Sequence, residues 1–113
     1  MNELPVIQKT YDLIKWYIPI LNRLPKTDKF GLGDRMIHIL YELLESLIIA
    51  RYSHNKIPIL ELLNAKIDIL RHQTRLLSDF NLIENPRYEY ASQHIDEIGM
   101  EIGGWLRQQK SRK

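Results

Sequence analysis

Apolar residues return at steps of four and three along most of the chain, the spacing that lines one face of an α-helix. Four such stretches are separated by short, turn-rich breaks. In the first, Ile7, Tyr11, Ile14, Ile18 and Leu21 form the stripe, and a helix over 5–23 is expected. Pro5 suits a first helical turn. Pro19 removes a backbone bond and crowds the turn before it, which predicts a kink over 16–19. Pro25 ends this helix, and 26–33 reads as a loop anchored by Phe30, with Asp34 or Gly33 capping the second helix. That helix, 34–52, carries the seam Met36, Leu40, Leu43, Leu47 and Ala50, widened by Ile37, Tyr41, Leu44 and Ile48. Asn55 and Pro58 open a third helix over 57–80 with Ile59, Leu63, Ile67, Leu70, Thr74 and Leu77 inward. Asn85 and Pro86 open a fourth, 87–109, whose stripe is Ala91, Ile95, Ile98, Ile102 and Trp105. No strand pattern competes. Four helices with short connections predict an all-α, up-down-up-down antiparallel bundle forming one domain over 1–113.

The third helix carries more apolar surface than such a bundle needs. Leu62, Ile69 and Leu76 recur every seven residues on a face beside the core seam. A broad core stripe is one explanation. A subunit interface is the other, and Ile49, off the seam of the second helix, adds to it. On that reading the bundle assembles into a homo-oligomer through Leu62, Ile69, Leu76 and Ile49. The fourth helix is unusual in another way. Gly99, Gly103 and Gly104 remove side chains beside its stripe at a cost of roughly 1 kcal/mol each relative to alanine. They are expected to admit a bulky neighbour such as Trp16 or Phe80.

Charge changes the picture at the C-terminus. The net charge is only +2, yet Arg107, Lys110, Arg112 and Lys113 follow Trp105 with no acid among them, so a basic tail closes the chain over 110–113. Such a cationic end attracts phosphate backbones or acidic partners, or serves only as a solvated tail. Composition is that of a soluble globular protein, with 44% apolar and 27% charged residues. The absence of cysteine excludes disulfides and thiolate metal sites. No secretory pattern and no membrane-length apolar run occurs, so a cytoplasmic protein without membrane contact is expected.

Catalytic chemistry finds little support. Di-metal bundle sites use Glu-x-x-His pairs on facing helices. The residues three before His38, His54, His72 and His94 are Arg35, Arg51, Ile69 and Ala91. No metal, no cofactor and no enzymatic activity are therefore expected. Gly31-Leu32-Gly33 is too short for a phosphate loop and follows no strand. Asp68 and His72, four apart, read as a surface hydrogen bond rather than an acid–base dyad. The basic residues say more. Arg71 and Arg75 stand one turn apart off the core seam of the third helix, where each guanidinium could fork onto a phosphate. Pairing within the helix, Asp68 with Arg71 or Arg75 with Asp79, is the plainer alternative. Trp16, Tyr17, Tyr52, Tyr88 and Tyr90 offer rings for base stacking or lids for the core.

Several motifs then fall in a familiar order: Tyr17-Ile18-Pro19, Leu24-Pro25-Lys26, Phe30-Gly31-Leu32-Gly33-Asp34-Arg35, and Leu43-Leu44-Glu45-Ser46-Leu47-Ile48. They continue with Leu70-Arg71-x-x-x-Arg75-Leu76 and Ile98-Gly99-x-x-Ile102-Gly103-Gly104-Trp105. In this the chain resembles the accessory variability determinant (Avd) proteins of diversity-generating retroelements. These belong to a superfamily of four-helix bundles that includes proteins encoded in intervening sequences of large-subunit ribosomal RNA genes. The resemblance implies a barrel-like homopentamer with a basic surface. It implies binding to the reverse transcriptase and to nucleic acid in mutagenic retrohoming, with no catalysis by the bundle itself. It places Arg71 and Arg75 in the family's Leu-Arg-x-x-x-Arg motif as first candidates for RNA or polymerase contact. Arg107, Lys110, Arg112 and Lys113 match its basic end. A homo-oligomer of the intervening-sequence branch, without a polymerase partner, is the alternative.

Overall fold

The computed structural model describes residues 4–112, and Lys113 lies outside them. Its long helices are α1 (Pro5–Asn22), α2 (Asp34–Tyr52), α3 (Ile57–Asp79) and α4 (Asn85–Ser111), with no strand among the described residues. Each packs on its neighbour in sequence, and α1 closes on α4. Neighbours run antiparallel: Lys9, near the start of α1, pairs with Glu97 at the middle of α4 and with Glu101 in its second half. Lys110, near the end of α4, pairs with Glu61 near the start of α3. The bundle measures 48 × 24 × 20 Å.

The core follows the four-three pattern with two instructive shifts. All five predicted seam residues of α2 are fully buried. On α1 the buried face is Val6, Ile7, Thr10, Leu13, Ile14, Tyr17 and Leu21, while Tyr11 is exposed and Ile18 only half-buried. Two polar residues turned the face. The Thr10 hydroxyl donates to the Val6 carbonyl at 2.8 Å, which cancels the cost of burying it. The Tyr17 hydroxyl lies 2.8 Å from Thr74 Oγ1, a buried hydrogen bond between α1 and α3 across the core. Burial pushes the Tyr17 phenol well above its ordinary range, against the opposing effect of Thr74. On α4 the seam ends on Leu106, and Trp105 is half-buried beside it. On α3, Leu60 is fully buried and Ile59 only partly.

The segment 26–33 is not the loop the sequence suggests. A short α-helical turn, Lys26–Asp28, runs into a π-helical turn, Lys29–Gly33, and straight on into α2. The backbone is helical at both Gly33 and Asp34, so neither is a cap. A Cβ on Gly33 would lie 3.3 Å from the Asp28 carbonyl and from Leu24 Cδ1. Glycine thus lets the wide turn press against the end of α1. Phe30 is not an anchor; it is 62% exposed, because the extra residue of the π turn rotates it away from the core. Pro19 lies within a helix that continues to Asn22. The α3 terminus is a Schellman turn. Asn81 takes φ 59°, and its N–H donates to Ser78 while that of Leu82 donates to Leu77.

The glycines of α4 divide by function. A Cβ on Gly99 would meet Arg71 Nη2 at 3.1 Å and Ile67 Cγ2 at 3.2 Å, so α3, rather than Trp16 or Phe80, is the close neighbour. Around Gly103 and Gly104 the nearest side chain is Arg107 of the same helix, at 3.5 and 3.7 Å. Gly99→Leu should therefore lower the melting temperature by separating α3 from α4. Gly103→Ala should hold or raise it, since alanine is favoured by roughly 1 kcal/mol and nothing obstructs the methyl. Calorimetry on the two variants tests both signs.

Glu42 of α2 receives Lys66 Nζ of α3 at 2.9 Å and lies 3.0 Å from His38 Nε2. The Lys66 hydrogen bond, more than the two positive charges, holds this carboxyl below its usual range against desolvation. A depressed carboxyl stabilises the fold above its unfolded pKa, about 4.3, and that stabilisation is lost as pH falls through the folded value. The gap in melting temperature between wild type and Glu42→Gln should thus be open at pH 7 and close below about pH 4. A gap unchanged down to pH 2 would exclude this role.

Candidate nucleic-acid interface

Of the six basic residues singled out in the sequence, Lys113 lies outside the described residues, and the other five do not form one patch. Arg71 is held between two helices: its Nε donates to Asp96 Oδ1 of α4 at 2.9 Å and its Nη1 to Asp68 Oδ1 at 3.2 Å. Its third nitrogen lies over Gly99. The guanidinium is thus compensated by two carboxylates and acts as a latch on the α3–α4 seam. Arg75, one turn on, is exposed, and no Asp79 pair forms. The plainer reading of the sequence holds for Arg71 and fails for Arg75. His72 Nδ1 sits 2.8 Å from the Asp68 carbonyl, a local helix bond.

Arg107, Lys110 and Arg112 lie at the other end of α3. Lys110 reaches Glu61, which is about 21 Å along the helix from Arg75 at 1.5 Å per residue. Antiparallel packing brings the α2–α3 turn against the end of α4 here. Ser53, His54, Asn55, Lys56 and Ile57 share an open cavity of about 490 Å³ with Gln109 and Arg112. Around this end stand Arg51, Lys56, Arg107, Lys110 and Arg112, with Glu61 as the one acid in 51–61 and 105–112. The opposite end is balanced: Arg23, Lys26, Lys29, Arg35 and Arg87 face Asp28, Asp34, Asp79, Glu84 and Glu89. The bundle therefore has a cationic pole.

Its members are held differently. Lys56 Nζ donates to the carbonyls of Ala50, Arg51 and Ser53 at 2.9, 3.0 and 2.8 Å. This ties off the α2 terminus and neutralises its negative end. The Arg51 guanidinium stands 5.5 Å above the ring of Tyr52, which is 77% exposed. Arg107 lies back along the glycines of its own helix. Arg51, His54 and Lys56 are functional candidates that linear reading missed. Their signal was available: in an antiparallel bundle the second turn must meet the chain's end.

Elsewhere, the Trp16 ring lies tilted against Tyr90 at 4.5 Å and against Tyr17 at 5.2 Å, and Tyr90 stacks on His94 at 4.0 Å, so three of the candidate stacking rings are engaged with one another. Leu62, Ile69, Leu76 and Ile49 are 55, 46, 41 and 57% exposed, so none belongs to the core. Among the described residues no three His, Asp or Glu side chains are placed to hold a metal ion. Among the described residues no helix is long and apolar enough to cross a membrane.

A model of the bAvd-like family matches residues 4–109. The chain belongs to the bAvd-like family. No curated protein matches it. Membership supports an Avd-type accessory protein, and the match spans α1 through most of α4, including the α2–α3 turn of the pole. Within this bAvd-like chain the latch and the free arginine separate experimentally. Arg71→Ala should cost about 1 kcal/mol, from two partly exposed ion pairs and the packed stem. Arg75→Ala should stay within about 0.5 kcal/mol of wild type. Urea unfolding of each variant distinguishes them.

Proposed function

We propose that this chain is a non-catalytic accessory protein of a diversity-generating retroelement. It binds the reverse transcriptase and its template RNA or cDNA in the cytoplasm and supports mutagenic retrohoming. One observation carries the nucleic-acid part: cations gather at one end of a bundle whose other end is balanced. Clustered Arg and Lys bind phosphate without regard to sequence, and clustering supplies what a net charge of +2 does not. Family membership supports the polymerase part. The working assembly is a homo-oligomer, pentameric as in the proteins the chain resembles, with Leu62, Ile69, Leu76 and Ile49 at its interfaces.

On this reading Arg107, Lys110 and Arg112, with Lys113 after them, contact phosphate first. Arg75 adds a separate point on the side of α3, and Arg71 serves the fold. Binding of template RNA, followed by fluorescence anisotropy over a salt series, tests the assignment. The slope of log K against log salt should fall by about 2 in an Arg107→Ala/Lys110→Ala/Arg112→Ala variant, at roughly 0.7 per phosphate contact. For Arg75→Ala the loss should be below about 1. Wild-type affinity and slope in the triple variant would remove the pole from the reading. Failure to co-purify with the polymerase would remove the partner.

A further inference from the structure

The cavity at the cationic pole has a chemistry more particular than its charge. No carboxylate lines it. Two of its polar groups are already engaged. The Ser53 hydroxyl donates to the Ile49 carbonyl at 2.7 Å, and the Lys56 ammonium donates to the carbonyls of Ala50, Arg51 and Ser53. Lys56 therefore stands in the wall as a fixed positive charge with no hydrogen left to give. The side chains of His54, Asn55, Gln109 and Arg112 also line the cavity, and they have no hydrogen-bond or ion-pair partner among the described residues. Each can donate: the guanidinium as a fork, the amides through their NH2 groups, and the imidazole through one ring nitrogen when neutral and both when protonated. Such a set around an open recess of about 490 Å³ suits an anion with several oxygens.

A phosphate within a strand matches this recess poorly. It carries a single charge, and chain leaves it on both sides, so it lies across an opening rather than in it. A terminal phosphomonoester has chain on one side only, three free oxygens and a charge of about −1.5 to −2 at pH 7. Four donor side chains and a fixed ammonium match the second group. Immediately before the first cavity residue comes Tyr52, a ring that the core does not use: it is 77% exposed. The Arg51 guanidinium covers one face of the ring at 5.5 Å and leaves the other open to a base. Because α2 ends at Tyr52 and the backbone is extended at Ser53, ring and recess lie at the same corner of the bundle.

We infer that the pole holds the end of a single strand. The terminal phosphomonoester sits in the recess on Arg112, His54, Asn55 and Gln109, and the terminal base stacks on the open face of Tyr52. This rests on the nucleic-acid binding in the proposed function and names the part of the nucleic acid that the pole recognises. Arg112 supplies charge and a forked contact, the amides and the imidazole fix the remaining oxygens, and Tyr52 accepts an unpaired base whatever its identity. In a duplex the terminal base is already paired and stacked, so the ring gains less there.

Fluorescence anisotropy tests this with one short single-stranded RNA, labelled internally and prepared with hydroxyl ends, with a 5′-phosphate or with a 3′-phosphate. At least one phosphorylated form should bind about tenfold more tightly than the hydroxyl form, the worth of one further charge-assisted hydrogen bond. The form that gains identifies the end. In Arg112→Gln and in His54→Gln the ratio of the two affinities should fall toward unity. Tyr52→Ala should weaken binding of the favoured form about fivefold or more, and Tyr52→Phe should restore it. Circular dichroism checks the folding of each variant, and Asn55→Ala and Gln109→Ala replace any that lose helicity, with the same fall in the ratio expected. Equal affinity for all three forms, a ratio unchanged in the folded variants, or an unaffected Tyr52→Ala would overturn the inference. So would inorganic phosphate that displaces the labelled strand at the same concentration as an unlabelled phosphorylated strand, since the recess would then be a site for free phosphate. Equal binding of all three forms leaves the nucleic-acid reading standing and removes the strand end alone, whereas no binding of any form removes both.

Discussion

The contact of Gly99 with Ile67 and Arg71 decides where α4 lies on α3. Without a side chain at 99 the two helices approach closely, and the Arg71 guanidinium spans the seam between Asp68 and Asp96. Once that register is set, helical geometry leaves little freedom. Eleven residues on, Lys110 arrives beside Glu61, and Arg112 faces the α2–α3 turn. The cationic pole is therefore a consequence of packing two or three turns away. The Tyr17–Thr74 bond plays the matching part across the core, fixing α1 against α3 through a pair of buried hydroxyls.

Much of this was legible in the residues. The four-three spacing found all four helices and the whole buried face of α2, because aliphatic residues there have no alternative to the core. It failed where chemistry other than hydrophobicity decides. Thr10 and Tyr17 replace Tyr11 and Ile18 inside because each hydroxyl has a partner, a fact that only the fold supplies. The segment 26–33 looked like a loop, since its two glycines and Asp28 are poor helix formers and Pro25 precedes them. Its helicity comes from tertiary contact, with Gly33 against Leu24 and the Asp28 carbonyl.

The site was half legible. The basic end of α4 could be read directly, and so could the excess apolar line on α3. Arg71 could not be placed, because its motif is equally compatible with a phosphate fork and a helix latch. Only the position of Asp96, twenty-five residues away, decides between them. The pole's other half, Arg51, His54 and Lys56, lies in a stretch with no motif at all. Lys56 illustrates why charge counting alone misleads: its ammonium is consumed by three carbonyls of the α2 terminus. Its contribution to the pole is to cancel the negative helix end that would otherwise sit among the arginines.

The proposed self-assembly and the proposed nucleic-acid binding meet in the geometry of the bundle. The apolar faces run along its sides, while the cations stand at one end. In the proposed homo-oligomer, an arrangement with bundle axes roughly parallel would bury the sides and place every pole on the same rim. The field at that rim then grows with the number of copies, although each chain contributes a net charge of only +2. Neighbouring poles also raise the effective concentration of the next site once a strand is held at the first, which converts weak single contacts into tight binding without any new interaction. A monomer would lack this gain. On the proposed reading, the modest charge of the chain is compatible with nucleic-acid binding because assembly, rather than composition, would concentrate it.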